Sequence, residues 1–99
     1  MKIYILPAAI EDLSDGRDFY ASQGEEIGDY FMDCLKSDID SLQIFAGIHA
    51  VHFGTHYRML SKRFPFAIYY RMVGEVVYVD AILDCRQNPM STHNRMRKK

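Results

Sequence analysis

Five cations stand among aromatic residues in one stretch of this chain. Arg58, Lys62, Arg63, Arg71 and Arg86 are interleaved with Tyr57, Tyr69, Tyr70 and Tyr78. A guanidinium or ammonium group holds a phosphate, and a tyrosine ring stacks on a base. The same groups suit metal-free cleavage of RNA, in which a cation stabilises the charge developing on the phosphorane while a second group moves protons. The bland alternative is that strand Lys and Arg solvate an exposed sheet and blunt its edge. On the pattern alone the bland alternative is favoured. Twelve Lys+Arg against 13 Asp+Glu give a net charge of −1, without the basic excess of a protein that grips nucleic acid by bulk charge.

Other chemistries find less support. His49, His52 and His56 would share a face if helical, and imidazole suits zinc, but a structural zinc site wants four ligands at set spacings. Gly47 and Gly54 bracket the segment and predict a loop, so these read as surface histidines. No GxSxG and no CxxC occurs, and neither Cys34 nor Cys85 lies beside a histidine. Cys34 falls on an apolar helical stripe and Cys85 ends a core-facing run, both places for inert thiols. Asp80 and Asp84 share a strand face and complement nearby arginines more readily than they pair as catalytic carboxylates. Gly24 and Gly28 punctuate helices and form no phosphate loop. No metal and no cofactor is expected.

A chain of 99 residues makes one domain and buries roughly 60–65% of its unfolded surface. The near-neutral total hides a division. Between Glu11 and Asp40 stand ten acidic residues and two basic ones; from Arg58 to Lys99 there are three acidic and nine basic. A basic face for phosphates or for an acidic partner follows from that division. Met1–Leu6 is too short an apolar run for a signal peptide, and no stretch reaches transmembrane length. A cytoplasmic protein with reduced thiols is the expectation.

The elements that must position these residues are legible from period and punctuation. Lys2–Leu6 reads as a strand, ended by Pro7, which suits a first helical turn. Ile10, Leu13, Arg17 and Tyr20 follow at helical spacing, up to a break at Ser22-Gln23-Gly24. A second helix is predicted from Glu25 to about Phe45, with Ile27, Phe31, Leu35, Ile39 and Leu42 as its apolar stripe. The two make an αα-hairpin. After a loop from Gly47 to Thr55 come three strands, Tyr57–Arg63, Phe66–Met72 and Val76–Cys85. Phe64-Pro65 and Val73-Gly74-Glu75 form the turns between them. Val77, Val79, Ala81, Leu83 and Cys85 alternate onto the face that packs on the helices; Tyr78, Asp80, Ile82, Asp84 and Arg86 take the other. The fold class is α+β: a strand, a helical hairpin and a three-stranded antiparallel meander in one sheet, helices on one face. Residues 1–89 are the domain, and 90–99 are a basic C-terminal tail.

The run from Arg58 to Arg71, RMLSKRFPFAIYYR, resembles the central hairpin of the RelE/ParE toxins of bacterial toxin–antitoxin pairs. Ala81–Pro89, AILDCRQNP, is similar to that family's last strand, which commonly ends His-x-Arg-Arg-Asp-Pro or a variant. The resemblance covers nearly the whole chain up to Pro89. It implies a small α+β toxin in a hetero-oligomer with a cognate antitoxin that wraps its sheet and hairpin. RelE-like members cut mRNA in the ribosomal A site, using basic residues on the sheet and often a late Tyr or His. ParE-like members inhibit DNA gyrase and lack that set. Here Asp84 stands where a His is common and Gln87 where a second Arg is common. No Tyr follows Tyr78, and His93 is the one late imidazole. The resemblance therefore points to the ParE-like branch, with Arg58, Lys62, Arg63, Arg71 and Arg86 as target contacts and Arg86 the best matched. A ribosome-dependent endoribonuclease and a non-toxic interaction module of the same fold are the alternatives.

Overall fold

Pro7 places the first helix, because a proline at the first helical position loses no hydrogen bond and its fixed φ is already helical. The computed structural model describes residues 1–97. In chain order it contains β1 (Lys2–Ile5), α1 (Pro7–Ala21), α2 (Glu25–Asp40), α3 (Leu42–Phe45), β2 (Val51–His52), β3 (His56–Leu60), β4 (Phe66–Val73), β5 (Val76–Asp84) and α4 (Pro89–Arg97). The architecture is α+β, with one five-stranded sheet in the order β1-β5-β4-β3-β2. β1 runs parallel to β5, and the other neighbours are antiparallel. No helix among the described residues is long and apolar enough to cross a membrane.

The hairpin of α1 and α2 closes tightly because two glycines allow it. A Cβ at Gly16 would lie 2.6 Å from Phe31 Cζ, and one at Gly28 would lie 3.1 Å from the Arg17 carbonyl oxygen. Gly28 is therefore a packing residue rather than punctuation. Leu13, Tyr20, Phe31, Leu35 and Ile39 of the hairpin bury against Phe66, Ile68, Tyr70, Val77, Val79 and Ile82 of the sheet. Phe64 enters the same core, its ring centroid 4.8 Å from that of Tyr20 and 5.1 Å from that of Phe31. That insertion anchors the β3–β4 turn.

Several sequence expectations change. The second helix does not run unbroken to Phe45. The Ser41 hydroxyl donates to the Asp38 carbonyl at 2.6 Å, local competition of the kind that interrupts helices, and α3 starts afresh at Leu42. The loop after it contains β2, a two-residue edge strand paired with β3. The first meander strand ends at Leu60 rather than Arg63, because the buried Asp38 carboxylate captures Ser61 Oγ at 2.6 Å and the Lys62 N–H at 3.3 Å.

The face assignment along β5 is corrected beyond Val79. Tyr69 pairs with Ala81 but Tyr70 pairs with Val79, so Asp80 is an extra residue at a β-bulge. The bulge reverses the alternation. Val77, Val79 and Ile82 face the helices, whereas Ala81 and Leu83 join Ala67 and Tyr69 on the outer face. Cys85, past the strand end, is exposed instead of core-facing.

The expected basic tail is also corrected, through Arg97. Asn88 Oδ1 accepts the Met90 N–H at 2.9 Å, and residues 89–97 form α4. Met96 is buried against Ala67, Tyr69 and Ala81. Arg95 grips Asp12 of α1 through two bonds of 3.0 and 2.8 Å. Asp12 also accepts the Ile82 N–H at 2.9 Å, so one carboxylate satisfies a β5 edge donor and fastens α4. A helix thus lies on each face of the sheet, not on one alone. Lys98 and Lys99 lie outside the described residues.

Candidate functional site

The outer face of the sheet carries most of the polar chemistry. The bulge turns Asp80 toward His56 of β3 and Arg71 of β4. Asp80 Oδ2 accepts from His56 Nε2 at 2.6 Å and from Arg71 Nε at 2.5 Å, while Oδ1 accepts from Arg71 Nη2 at 3.1 Å. With Nε2–H donating to the carboxylate, His56 Nδ1 accepts from the Thr55 hydroxyl at 2.6 Å. The order hydroxyl, imidazole, carboxylate is that of a nucleophile relay. However, His56 is 1% exposed and Asp80 already neutralises Arg71. The network is a buried brace. Asp80 raises the pKa of Arg71 by hydrogen bonding to it, and the guanidinium lies over the Tyr78 ring, 5.1 Å from its centroid.

A cleft of about 470 Å³ opens further along the same face. Its walls include His52, Phe53, Arg58 and Tyr69 from the sheet side, and Thr92 and His93 from α4. Arg58 Nε donates to the Tyr69 hydroxyl at 3.3 Å, and its Nη2 lies 3.8 Å from Cys85 Sγ. Phe53 adopts a left-handed φ of 58°, uncommon for a bulky residue. That conformation lays its ring 5.9 Å from Tyr69 and 5.8 Å from His93. A cation, two imidazoles and an aromatic wall can hold an anionic group attached to a planar one.

The fold has a solved counterpart. It matches a chain of the chromosomal ParDE TA system from P. aeruginosa with a TM-score of 0.76, covering 83% of this chain and 92% of that one at 21% identity. At that identity the likeness is one of fold. No family model matches the chain, and no curated protein matches it.

The structure separates the five cations singled out in the sequence. Arg58 lines the outer-face cleft. Lys62 and Arg63 are not on the strand with it; they sit exposed in the β3–β4 turn and line a different cleft, beside α2. Arg71 belongs to the brace. Arg86 donates to Asp84 at 3.0 and 2.7 Å and lies 5.9 Å from the Phe19 ring centroid. This bonding raises the pKa of Arg86 and holds the Asp84 carboxyl below its usual range.

Two of the stacking tyrosines are on the wrong face. Tyr57 and Tyr70 stack on each other, 5.1 Å between centroids, on the helix side. Tyr70 is fully buried, and its hydroxyl accepts the Gly47 N–H at 2.9 Å and lies 2.5 Å from His49 Nδ1. Burial raises the Tyr70 pKa and lowers that of His49. Among the described residues no group of three or more His, Cys, Asp or Glu is placed to hold a metal ion.

Sequence reasoning passed over Asp38 and the bracing role of Asp12, and left His93 in a tail rather than beside Arg58. Asp38 carried a signal: it falls three residues after Leu35 on the apolar stripe, where a carboxylate needs donors from elsewhere in the fold. The partners of Asp12 and the cleft position of His93 carried none, because α4 has too few apolar residues to read as a docked helix.

Proposed function

We propose that this chain is the toxin of a bacterial toxin–antitoxin pair, silenced in the cytoplasm by a cognate antitoxin, and that it acts in the ParE-like manner. It would bind and inhibit a protein target such as DNA gyrase. The observation that carries this reading is the state of Arg71 and Arg86. A metal-free nuclease needs uncommitted cations converging on one phosphate, whereas these two spend their charge on Asp80 and Asp84. The fold likeness to a chain of a ParDE system supports the toxin–antitoxin role without bearing on the branch. In this reading Arg58, Lys62 and Arg63 touch the target directly, while Arg71 and Arg86 shape the surface around them.

One observation favours a second reading, a ribosome-dependent mRNA endoribonuclease. α4 carries His93 into the cleft that holds His52, Arg58 and Tyr69. Two imidazoles beside a guanidinium are a workable acid, base and anion clamp.

Induced expression separates the two. Growth arrest with a DNA-damage response and intact mRNA is expected. Rapid cleavage of mRNA on translating ribosomes, abolished by His93→Ala, refutes the first reading in favour of the second. Folded protein without arrest refutes both and leaves an interaction module.

A further inference from the structure

The Tyr70 hydroxyl is the centre of a small polar network on the helix side of β4. Its oxygen accepts the Gly47 N–H at 2.9 Å, and the His49 backbone N–H reaches the same oxygen. Two donors occupy both lone pairs of the phenol oxygen. The phenolic proton therefore goes to His49 Nδ1, 2.5 Å away. The imidazole stands edge-on to the Tyr70 ring, 5.5 Å between centroids. The arrangement fixes the tautomer: Nδ1 is bare and Nε2 carries the proton.

The segment held by this network buries little. Between Gly47 and Phe53, His49 and His52 are half-buried and the rest are exposed. Gly47 has a φ of 97° and passes so close over β4 that a Cβ on it would lie 3.2 Å from Met72 Sδ. The Ala50 carbonyl accepts the Arg58 N–H at 2.9 Å, and β2 then pairs with β3 over two residues. His52 and Phe53, at the end of that short pairing, wall the outer-face cleft.

A second proton on His49 enters at Nδ1. The imidazolium would then aim a third N–H at an oxygen whose lone pairs are taken, and the Tyr70 O–H would lose its acceptor. The surroundings do not favour the charge. Tyr57 of β3 is stacked on Tyr70, α3 brings no ionisable side chain, and His52 of β2 faces the outer cleft. Asp38 of α2 and Lys62 line one cleft with His49 and carry opposite charges, and Asp38 is already bonded to Ser61 and the Lys62 N–H. Burial accordingly lowers the His49 pKa.

We propose that the His49–Tyr70 pair is a pH-operated latch on the edge of the sheet. With His49 neutral, residues 47–50 stay on β4 and β2 stays paired with β3. With His49 protonated, the segment is released, β2 leaves the sheet, and His52 and Phe53 withdraw from the outer-face cleft. The open form takes up its proton near the ordinary 6.5 and the closed form lower. Opening is therefore favoured as pH falls below 6.5, by at most about tenfold per pH unit for one proton.

The test is nuclear magnetic resonance on the full chain between pH 7.5 and 5. Imidazole nitrogen shifts are expected to show His49 Nδ1 bare at pH 7.5. Opening is read from amide exchange, corrected for its intrinsic pH dependence, at Gly47 and Arg58, whose N–H groups bond to Tyr70 and Ala50. Protection of these two amides is expected to fall about threefold or more across the range, while the amides that pair β4 with β5 keep theirs. His49→Asn offers Oδ1 as the acceptor and does not titrate, so this pH dependence should vanish although His52, His56 and His93 remain. A proton on Nδ1 at pH 7.5, unchanged protection as His49 titrates, or the same pH dependence in His49→Asn overturns the latch. Should the variant not fold, the wild type decides: a fall shared equally by the β4 and β5 amides is global unfolding and overturns the latch as well.

Discussion

Replacing Asp80 tests whether the outer face is braced or merely decorated. In Asp80→Ala the His56 imidazole loses the acceptor of its Nε2–H, 2.6 Å away, inside a site where its side chain is 1% exposed. Water cannot replace that partner without opening the sheet. Arg71 loses acceptors at 2.5 and 3.1 Å, but its side chain is 37% exposed, so solvent recovers part of that loss. Removing one partner of a fully buried pair costs about 3–5 kcal/mol; the half-exposed arginine places this case near the lower end, about 3 kcal/mol. A domain of this size has roughly 5–10 kcal/mol in total, so the variant is expected to fold with a thin margin. The chain has no Trp, so urea unfolding is followed by far-ultraviolet circular dichroism. With an m-value of about 1.5 kcal/mol/M, the midpoint should fall by about 2 M. His56→Phe alone removes the imidazole without leaving it unpaired and should cost less than Asp80→Ala. The double variant should then be no worse than Asp80→Ala alone. A midpoint shift below about 0.5 M for Asp80→Ala would refute the brace and return Arg71 to the pool of free surface cations.

Gly28→Val places a branched side chain against Ala21 and the Arg17 carbonyl; a loss of about 1–3 kcal/mol is expected, read as a lower thermal midpoint. Met96→Asp removes the one buried side chain of α4, so amide exchange in residues 89–97 should accelerate by tenfold or more while the strand amides keep their protection. Burial lowers the His49 pKa below its ordinary 6.5, so the unfolded chain binds the extra proton; stability is full above 6.5 and falls as pH drops through that value toward the lower folded one. Thermal midpoints between pH 7.5 and 5 should show this slope, and His49→Asn should reduce it. The Arg86 hydrogen bond depresses Asp84, so in Arg86→Ala the Asp84 carboxyl, followed by carbon NMR, should titrate back toward its usual range.

The fold was largely legible because its main signals are local. Pro7, the stripe from Ile27 to Leu42, Phe64-Pro65 and Gly74 each act within a few residues. Where reading failed, the cause lay across the chain. The break at Ser41 depends on which carbonyl a hydroxyl finds. The end of β3 depends on Asp38, more than twenty residues earlier in sequence. Nothing in VVYVDAILD marks Asp80 as an extra residue, since an aspartate fits the polar half of a strict alternation. The bulge becomes visible only once His56 and Arg71 are placed beside it, and it then moves Ala81, Ile82 and Leu83 to opposite faces.

The site was less legible for a related reason. A cation's availability is decided by its neighbours, and neighbours are a property of the fold. Sequence singled out five cations, with Arg86 the best matched. The structure ranks them by what already holds them: Asp80 for Arg71, Asp84 for Arg86, a phenol and a thiol for Arg58, and only backbone anchoring for the turn that carries Lys62 and Arg63. A guanidinium bonded twice to a carboxylate keeps three N–H donors, but its charge is already balanced, so it offers a phosphate less than a free cation does. Single replacements should therefore divide by mechanism. Arg71→Ala and Arg86→Ala act chiefly on stability and local geometry. Lys62→Ala and Arg63→Ala act on association alone. If toxicity fell equally in all four with folding unchanged, the ion pairs would not be ranking the cations, and the case against a converging phosphate site would fail with them.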